Sequence, residues 1–173
     1  MPRANANVLI LADHREAAGS ILEQLADIEG VTILVDQLDV ADYVLSDRLA
    51  VERKTVPDFA ASIVDRRLFS QAERLRERFE RVVYLIEGGG LYEGHNLHPN
   101  AVRGALSYLA VLSGATVLRS EGPEDSALLL ATMARHEQHG LGYEVSGHHV
   151  RRGSTPDLQQ RYVVEELPGG GTG

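Results

Sequence analysis

No cysteine occurs among the 173 residues, which excludes disulfides, a thiolate zinc site and a cysteine nucleophile. Long apolar runs are missing too: no stretch reaches the roughly 18 residues a membrane-crossing helix needs. The opening MPRANANVLILADHRE lacks the extended apolar segment and cleavage site of a secretory signal. A soluble protein of the cytoplasm, without membrane attachment, is therefore expected. Positive charge is scarce, with 17 Lys and Arg against 25 Asp and Glu and a net charge of -8. Taken alone, that balance argues against a nucleic-acid partner, because phosphate binding draws on basic side chains. Lysine is scarcer still, since Lys54 is the only one and every other basic residue is arginine. Arginine is a permanently charged planar fork, whereas lysine is a compact charge that can sit beside a water. Codon bias explains the scarcity of lysine but not where the one lysine stands.

What is present suffices for one hydrophobic core, with 43% hydrophobic residues. The charge is unevenly spread: RRLFSQAERLRERFER, from Arg66 to Arg81, carries six arginines against three glutamates. That segment suits a phosphate-facing surface and equally a solvated helix face of Glu/Arg pairs three or four residues apart. Periodicity predicts a strand over Asn7–Leu11, a helix over Glu16–Ile28, and short strands over Val31–Leu38, Val40–Leu45 and Leu49–Lys54, with Ser46-Asp47-Arg48 as a hairpin turn. Thr55 caps a helix over Pro57–Val64, a second helix covers Leu68–Phe79, and Val82–Glu87 returns to strand. A helix over Asn100–Leu112, the strand ATVLRS and a helix over Pro123–Glu137 follow. The alternation gives an α/β domain over residues 1–140, with an antiparallel hairpin on one side of a largely parallel sheet. Residues 141–173 read as a linker and a helix starting at Thr155-Pro156. The seven histidines show no ligand spacing, and neither triple glycine precedes Lys-Ser/Thr as a phosphate loop would.

On the strand LAVERK, alternation puts Ala50, Glu52 and Lys54 on one face and Val51 and Arg53 on the other. Hairpin pairing can bring Asp42 towards Glu52, giving the pattern D-x9-E-x-K. Two carboxylates are the hard oxygen ligands that Mg2+ takes while sharing its coordination with phosphate oxygens. A lysine two residues beyond can orient an attacking water and balance charge developing on phosphate. The same residues also make ordinary cross-strand ion pairs, and the spacing alone does not separate the two readings.

The longer string does. Asp42-Tyr43-Val44, the complete E-R-K-x3-D from Glu52 to Asp58, and Arg67-Leu68-Phe69-Ser70-Gln71 resemble the XPF/Hef family of structure-specific endonucleases. LADHRE, IEG at Ile86–Gly88 and HPNAVRGA from His98 to Ala105 are similar to its archaeal nuclease domain, so the resemblance spans roughly residues 7–140. It implies a mixed sheet flanked by helices in the restriction-endonuclease-like, PD-(D/E)xK fold. It further implies hydrolysis of forked, flapped or junction DNA with Mg2+ or Mn2+, or alternatively a non-catalytic DNA-binding subunit of a heteromeric nuclease. Carried over, Asp42, Glu52 and the backbone carbonyl of Arg53 would ligate metal and Lys54 would be the catalytic lysine. Asp13, Arg53 and Asp58 would complete the site, with Arg15, Arg67 and Gln71 facing DNA. The family pattern implies a homodimer built from Asn100–Glu137, a lead-in to a helix-hairpin-helix module at Gln159–Gly169, and a cytoplasmic, nucleoid-associated protein of archaeal type. Two positions depart from it: Ala41 and Arg66 stand where the family has glycine. If the first requires a positive φ, Ala41 strains the approach to Asp42.

Overall fold

A computed structural model describes residues 7–140 together with Gly142 and Val145. The expected linker and C-terminal helix, and the helix-hairpin-helix lead-in, lie outside the described residues. Six strands form one sheet: β1 (Val8–Asp13), β2 (Val31–Asp36), β3 (Tyr43–Val44), β4 (Leu49–Thr55), β5 (Arg81–Glu87) and β6 (Thr116–Ser120). Their order is β2-β1-β3-β4-β5-β6. β1 and β2 run parallel, β4, β5 and β6 run parallel, and β3 is antiparallel to both its neighbours.

The hairpin therefore lies in the middle of the sheet, not on one side as expected from sequence. Both edges of β3 are used, by Leu11 and Ala12 of β1 and by Ala50 and Val51 of β4. Tyr43 and Val44 are buried on opposite faces, and both rows of their backbone groups face neighbouring strands, where an edge strand would leave one row unpaired.

The helices are α1 (Ile21–Ala26), α2 (Val56–Val64), α3 (Arg67–Arg78), α4 (Pro99–Ser107) and α5 (Pro123–Arg135). The expected helix from Glu16 is split: a 3-10 segment, His14–Ala18, ends at Gly19, whose extended backbone separates it from α1. The expected helix to Leu112 changes to π-helical winding from Tyr108. One core joins α2, α3 and α4 to a sheet face through Phe59, Leu68, Ala72, Leu75, Val102, Ala50, Tyr84 and Ile86. The opposite face packs Ile21 and Leu25 of α1 and Ala127 and Leu130 of α5 on Ile10, Tyr43, Val51 and Leu85. Alternation along β4 and β5 is thus legible in which core each residue joins. Thr55 caps α2 as expected, its Oγ1 accepting from the Asp58 N–H at 3.3 Å.

Ala41, at φ 78°, and Arg66, at φ 66°, are the non-glycine residues with left-handed backbone among those described. They are the two positions where the resembling family carries glycine. Left-handed backbone costs an L residue about 1–2 kcal/mol, against about 0.5–1 kcal/mol for the extra freedom glycine loses on folding. Arg66→Gly is expected to raise Tm by about 2–4 °C. Ala41→Gly should gain less, because it also removes a buried methyl. Thermal unfolding followed by circular dichroism checks both, and a lowered Tm for Arg66→Gly would contradict the assignment of strain.

Candidate active site

The short β3 delivers Asp42 beside β4. The Asp42 N–H donates to the Val51 carbonyl at 3.1 Å, and the Asp42 carbonyl accepts from the Asp13 N–H at 2.8 Å, so its backbone is held from both neighbouring strands. Its side-chain Oδ2 accepts from the Arg53 N–H at 2.8 Å. This sets the carboxylate beside Glu52, whose charge acts on it. Burial holds Asp42 well above the usual carboxylate range, and the charges of Glu52 and Glu16 add to it. Burial also raises Glu52, although Lys54 pulls it back. Two carboxyl groups that cannot both ionise comfortably at close range form a site with a demand for positive charge.

Lys54 partly meets that demand. It is buried, and its Nζ lies 3.8 Å from Glu52 Oε1. Alternation thus does what the sequence predicts for Ala50, Glu52 and Lys54. The carboxylates open into a pocket of about 140 Å3 lined by Arg15, Asp39, Val40, Ala41, Asp42, Glu52, Gln71, Arg74 and Leu75. Cations from two elements, Arg15 beside β1 and Arg74 on α3, face the acidic pair across it.

Asp13 is buried, and its carboxylate is committed elsewhere: Oδ2 accepts from Arg15 Nε at 2.6 Å and Oδ1 from the Leu38 N–H at 2.9 Å. It acts on the pocket by placing Arg15. Arg53 divides its parts between the two sheet faces. Its N–H fixes Asp42, while its guanidinium turns to the other face and takes Glu87 through Nε at 2.9 Å and NH2 at 2.8 Å and Glu16 through NH1 at 3.0 Å. Tyr43 donates to Glu16 at 2.6 Å and Ser126 to Glu87 at 2.7 Å. This network ties β4 to β5, α5 and the 3-10 segment, so the strand that carries Glu52 and Lys54 is anchored from behind.

Asp58 sits in the exposed first turn of α2, where its N–H is capped by Thr55. Arg67 opens α3, exposed and paired with Asp65 at 3.0 Å, and it does not line the pocket. The structure thus gathers Asp42, Glu52, Lys54, Arg15 and Gln71 and leaves Asp58 and Arg67 at the helix starts. Sequence reasoning missed Glu16, Glu87, Tyr84 and Arg74. Glu16 closes the string DHRE and Glu87 stands within IEG, so their place in the resemblance was the available signal. His95 bonds the Leu91 carbonyl at 2.8 Å and His98 caps α4 by accepting from Asn100, both within loop structure as expected.

The donor set fits a divalent cation with oxygen preference. Among the described residues no three histidine or carboxylate groups gather into a ready ligand set. Two carboxylates, each disfavoured in its charged state without a neighbour of opposite sign, match an ion that completes its shell with water and substrate phosphate. Among the described residues no helix is long and apolar enough to cross a membrane.

Residues 12–133 match the ERCC4 domain family. Over 95% of its length the chain is 33% identical to the 3'-flap repair endonuclease Xpf of Saccharolobus solfataricus, spanning 72% of that protein. It is 36% identical over 93% of its length to MJ1505 of Methanocaldococcus jannaschii, described as an ATP-dependent RNA helicase, of which it spans 20%. Among solved structures, XPF from Aeropyrum pernix in complex with DNA superimposes with a TM-score of 0.67 at 31% identity, covering 94% of this chain and 76% of that one. The mixed six-stranded sheet with flanking helices is the restriction-endonuclease-like fold of XPF nuclease domains.

Proposed function

The chain belongs to the ERCC4 domain family of XPF-type nucleases, and from that premise we propose that it cuts one strand of branched DNA at the Asp42–Glu52–Lys54 site with Mg2+ or Mn2+. The carrying observation is the enclosed carboxyl pair with a buried lysine 3.8 Å from one of its oxygens. Asp42 and Glu52 hold the cation, and the Arg53 carbonyl is a further candidate ligand. When bound, the cation supplies Lewis acidity and eases deprotonation of water. Lys54 orients the attacking water and offsets charge developing on the phosphate. Arg15, placed by Asp13, and Arg74 neutralise the phosphodiester at the pocket, and Gln71 borders it. Hydrolysis leaves 5'-phosphate and 3'-hydroxyl ends. Arg67 and the arginines of α3 supply sequence-independent phosphate contacts outside the pocket. Asp58 steadies the start of α2 directly after Lys54.

DNA is supported as partner by the DNA-bound Aeropyrum relative. Purified protein is expected to nick labelled fork or 3'-flap DNA with Mg2+ or Mn2+ and to stop on adding EDTA. Fork binding unaffected by EDTA, with no cutting under any divalent ion, would instead identify a DNA-binding subunit.

The dimer is proposed through the β6 edge and its flanking segments within Asn100–Glu137. Val111 and Leu112, 75% and 67% exposed on the π-helical turn, are large apolar side chains left to solvent there. Contiguous exposed apolar surface of this kind marks an interface. Sedimentation should give a dimer, and Val111→Asp with Leu112→Asp should give a monomer. A wild-type monomer at micromolar concentration would remove this part of the reading.

A further inference from the structure

Beneath the carboxyl pair lie two polar atoms that the chemistry above leaves unused. Tyr84 is opposite Glu52 in the parallel β4–β5 register, so both side chains stand on the sheet face that α3 covers. Its ring is fully buried, and its hydroxyl has no hydrogen-bond partner. Gln71 reaches the same pocket from α3, and its Oε1 is likewise buried and unpartnered. Four side-chain atoms among the described residues share that state, and two of the four flank Glu52. Buried polar groups normally find a partner, and a cluster of exceptions beside a charged site points to a ligand they are built to bond.

We propose that Tyr84 and Gln71 are positioning residues that hold a cation-bound water beside Glu52, Gln71 accepting a hydrogen bond from it and Tyr84 fixing its orientation. A phenol O–H can donate as well as accept. The amide oxygen of Gln71 can only accept. A donor and an acceptor together can fix both the place and the rotation of one water. Tyr108, whose hydroxyl is engaged by Glu73, is the other polar ring near Tyr84 and competes for neither atom.

The inference rests on the proposal that Asp42 and Glu52 bind the cation, and one experiment separates the two. Mn2+ affinity is measured by paramagnetic resonance and calorimetry on the full chain for Tyr84→Phe, Gln71→Met and Glu52→Ala, with kcat, KM and Tm alongside. Outer partners of metal ligands change affinity or rate by about 10–100-fold. Tyr84→Phe and Gln71→Met are each expected to weaken Mn2+ binding by about 10-fold and lower kcat with KM for DNA unchanged, and the double variant should fall short of the product of the single effects. Unchanged Mn2+ affinity in both, with Tm raised in Tyr84→Phe, overturns the inference, because it identifies a hydroxyl merely stranded in the core. Glu52→Ala losing Mn2+ while these two retain it sinks this inference alone. Glu52→Ala retaining Mn2+ sinks the metal reading beneath it.

Discussion

Lys54→Ala is expected to lower the single-turnover rate of fork cleavage by about 10³-fold while leaving fork affinity within a few-fold of wild type. The expectation follows from placement. Lys54 is buried beside Glu52, and its ammonium lies 3.8 Å from an oxygen of the acidic pair. On the proposed reading bulk DNA affinity would come instead from Arg15, Arg74 and the other arginines of α3, which the substitution does not touch. Lys54→Arg should rescue poorly, because a planar fork does not fit an enclosure shaped for a compact charge. The sole lysine of an arginine-rich chain thus acquires a reason. Quenched-flow cleavage on a saturated fork measures the effect. A rate within a few-fold of wild type would remove Lys54 from the chemistry.

Asp42→Asn should separate stability from function in opposite directions. Asp42 and Glu52 are both raised, Asp42 the more strongly, chiefly by burial. A carboxyl whose folded pKa lies above its unfolded value favours the folded state most at low pH. That stability is lost as pH rises from the ordinary carboxylate range through the raised folded value. As pH rises above the ordinary carboxylate range the metal-free protein therefore carries a growing cost for the acidic pair. Asparagine cannot ionise yet keeps an oxygen to accept the Arg53 N–H, so metal-free Tm at pH 7.5 is expected to rise by about 3 °C. Cation binding works the other way. For wild type, Mg2+ at about 100 times its Kd adds roughly 2.7 kcal/mol, on the order of an 8 °C shift. Since the cation displaces the proton, that shift should be larger at pH 8 than at pH 5. Asp42→Asn should lose the shift and the cleavage together. Calorimetric melting with and without Mg2+ at the two pH values reads every part, and an asparagine variant that melts lower yet keeps its Mg2+ shift would refute it.

Much of this site was legible in the sequence because its geometry is local. Period-2 alternation placed Glu52 and Lys54 together and sent Arg53 to the other face. Thr55 announced the start of α2 by its capping chemistry, and the departure at Ala41 pointed to one of the left-handed positions the structure contains, Arg66 being the other. The rest depended on partners distant in the chain. Glu16, Glu87 and Ser126 meet the Arg53 cluster across 37, 34 and 39 positions respectively, counted between the bonded pairs, and no periodicity encodes such a meeting. The central place of β3 depends on the Leu11–Val44 and Ala12–Tyr43 pairing with β1, which the strand expected over Val40–Leu45 does not by itself reveal. Arg67 was legible as a basic residue, but not its turn towards Asp65. Tyr84 read as one more apolar strand residue until its register with Glu52 was known.

The central claim is that Asp42 and Glu52 together hold one divalent cation. Anomalous diffraction from crystals of the full chain grown with Mn2+ measures this most directly. A single anomalous peak between the two carboxylates, absent in Glu52→Ala, is the predicted result. Mn2+ bound elsewhere, with no anomalous peak at the two carboxylates, would contradict it.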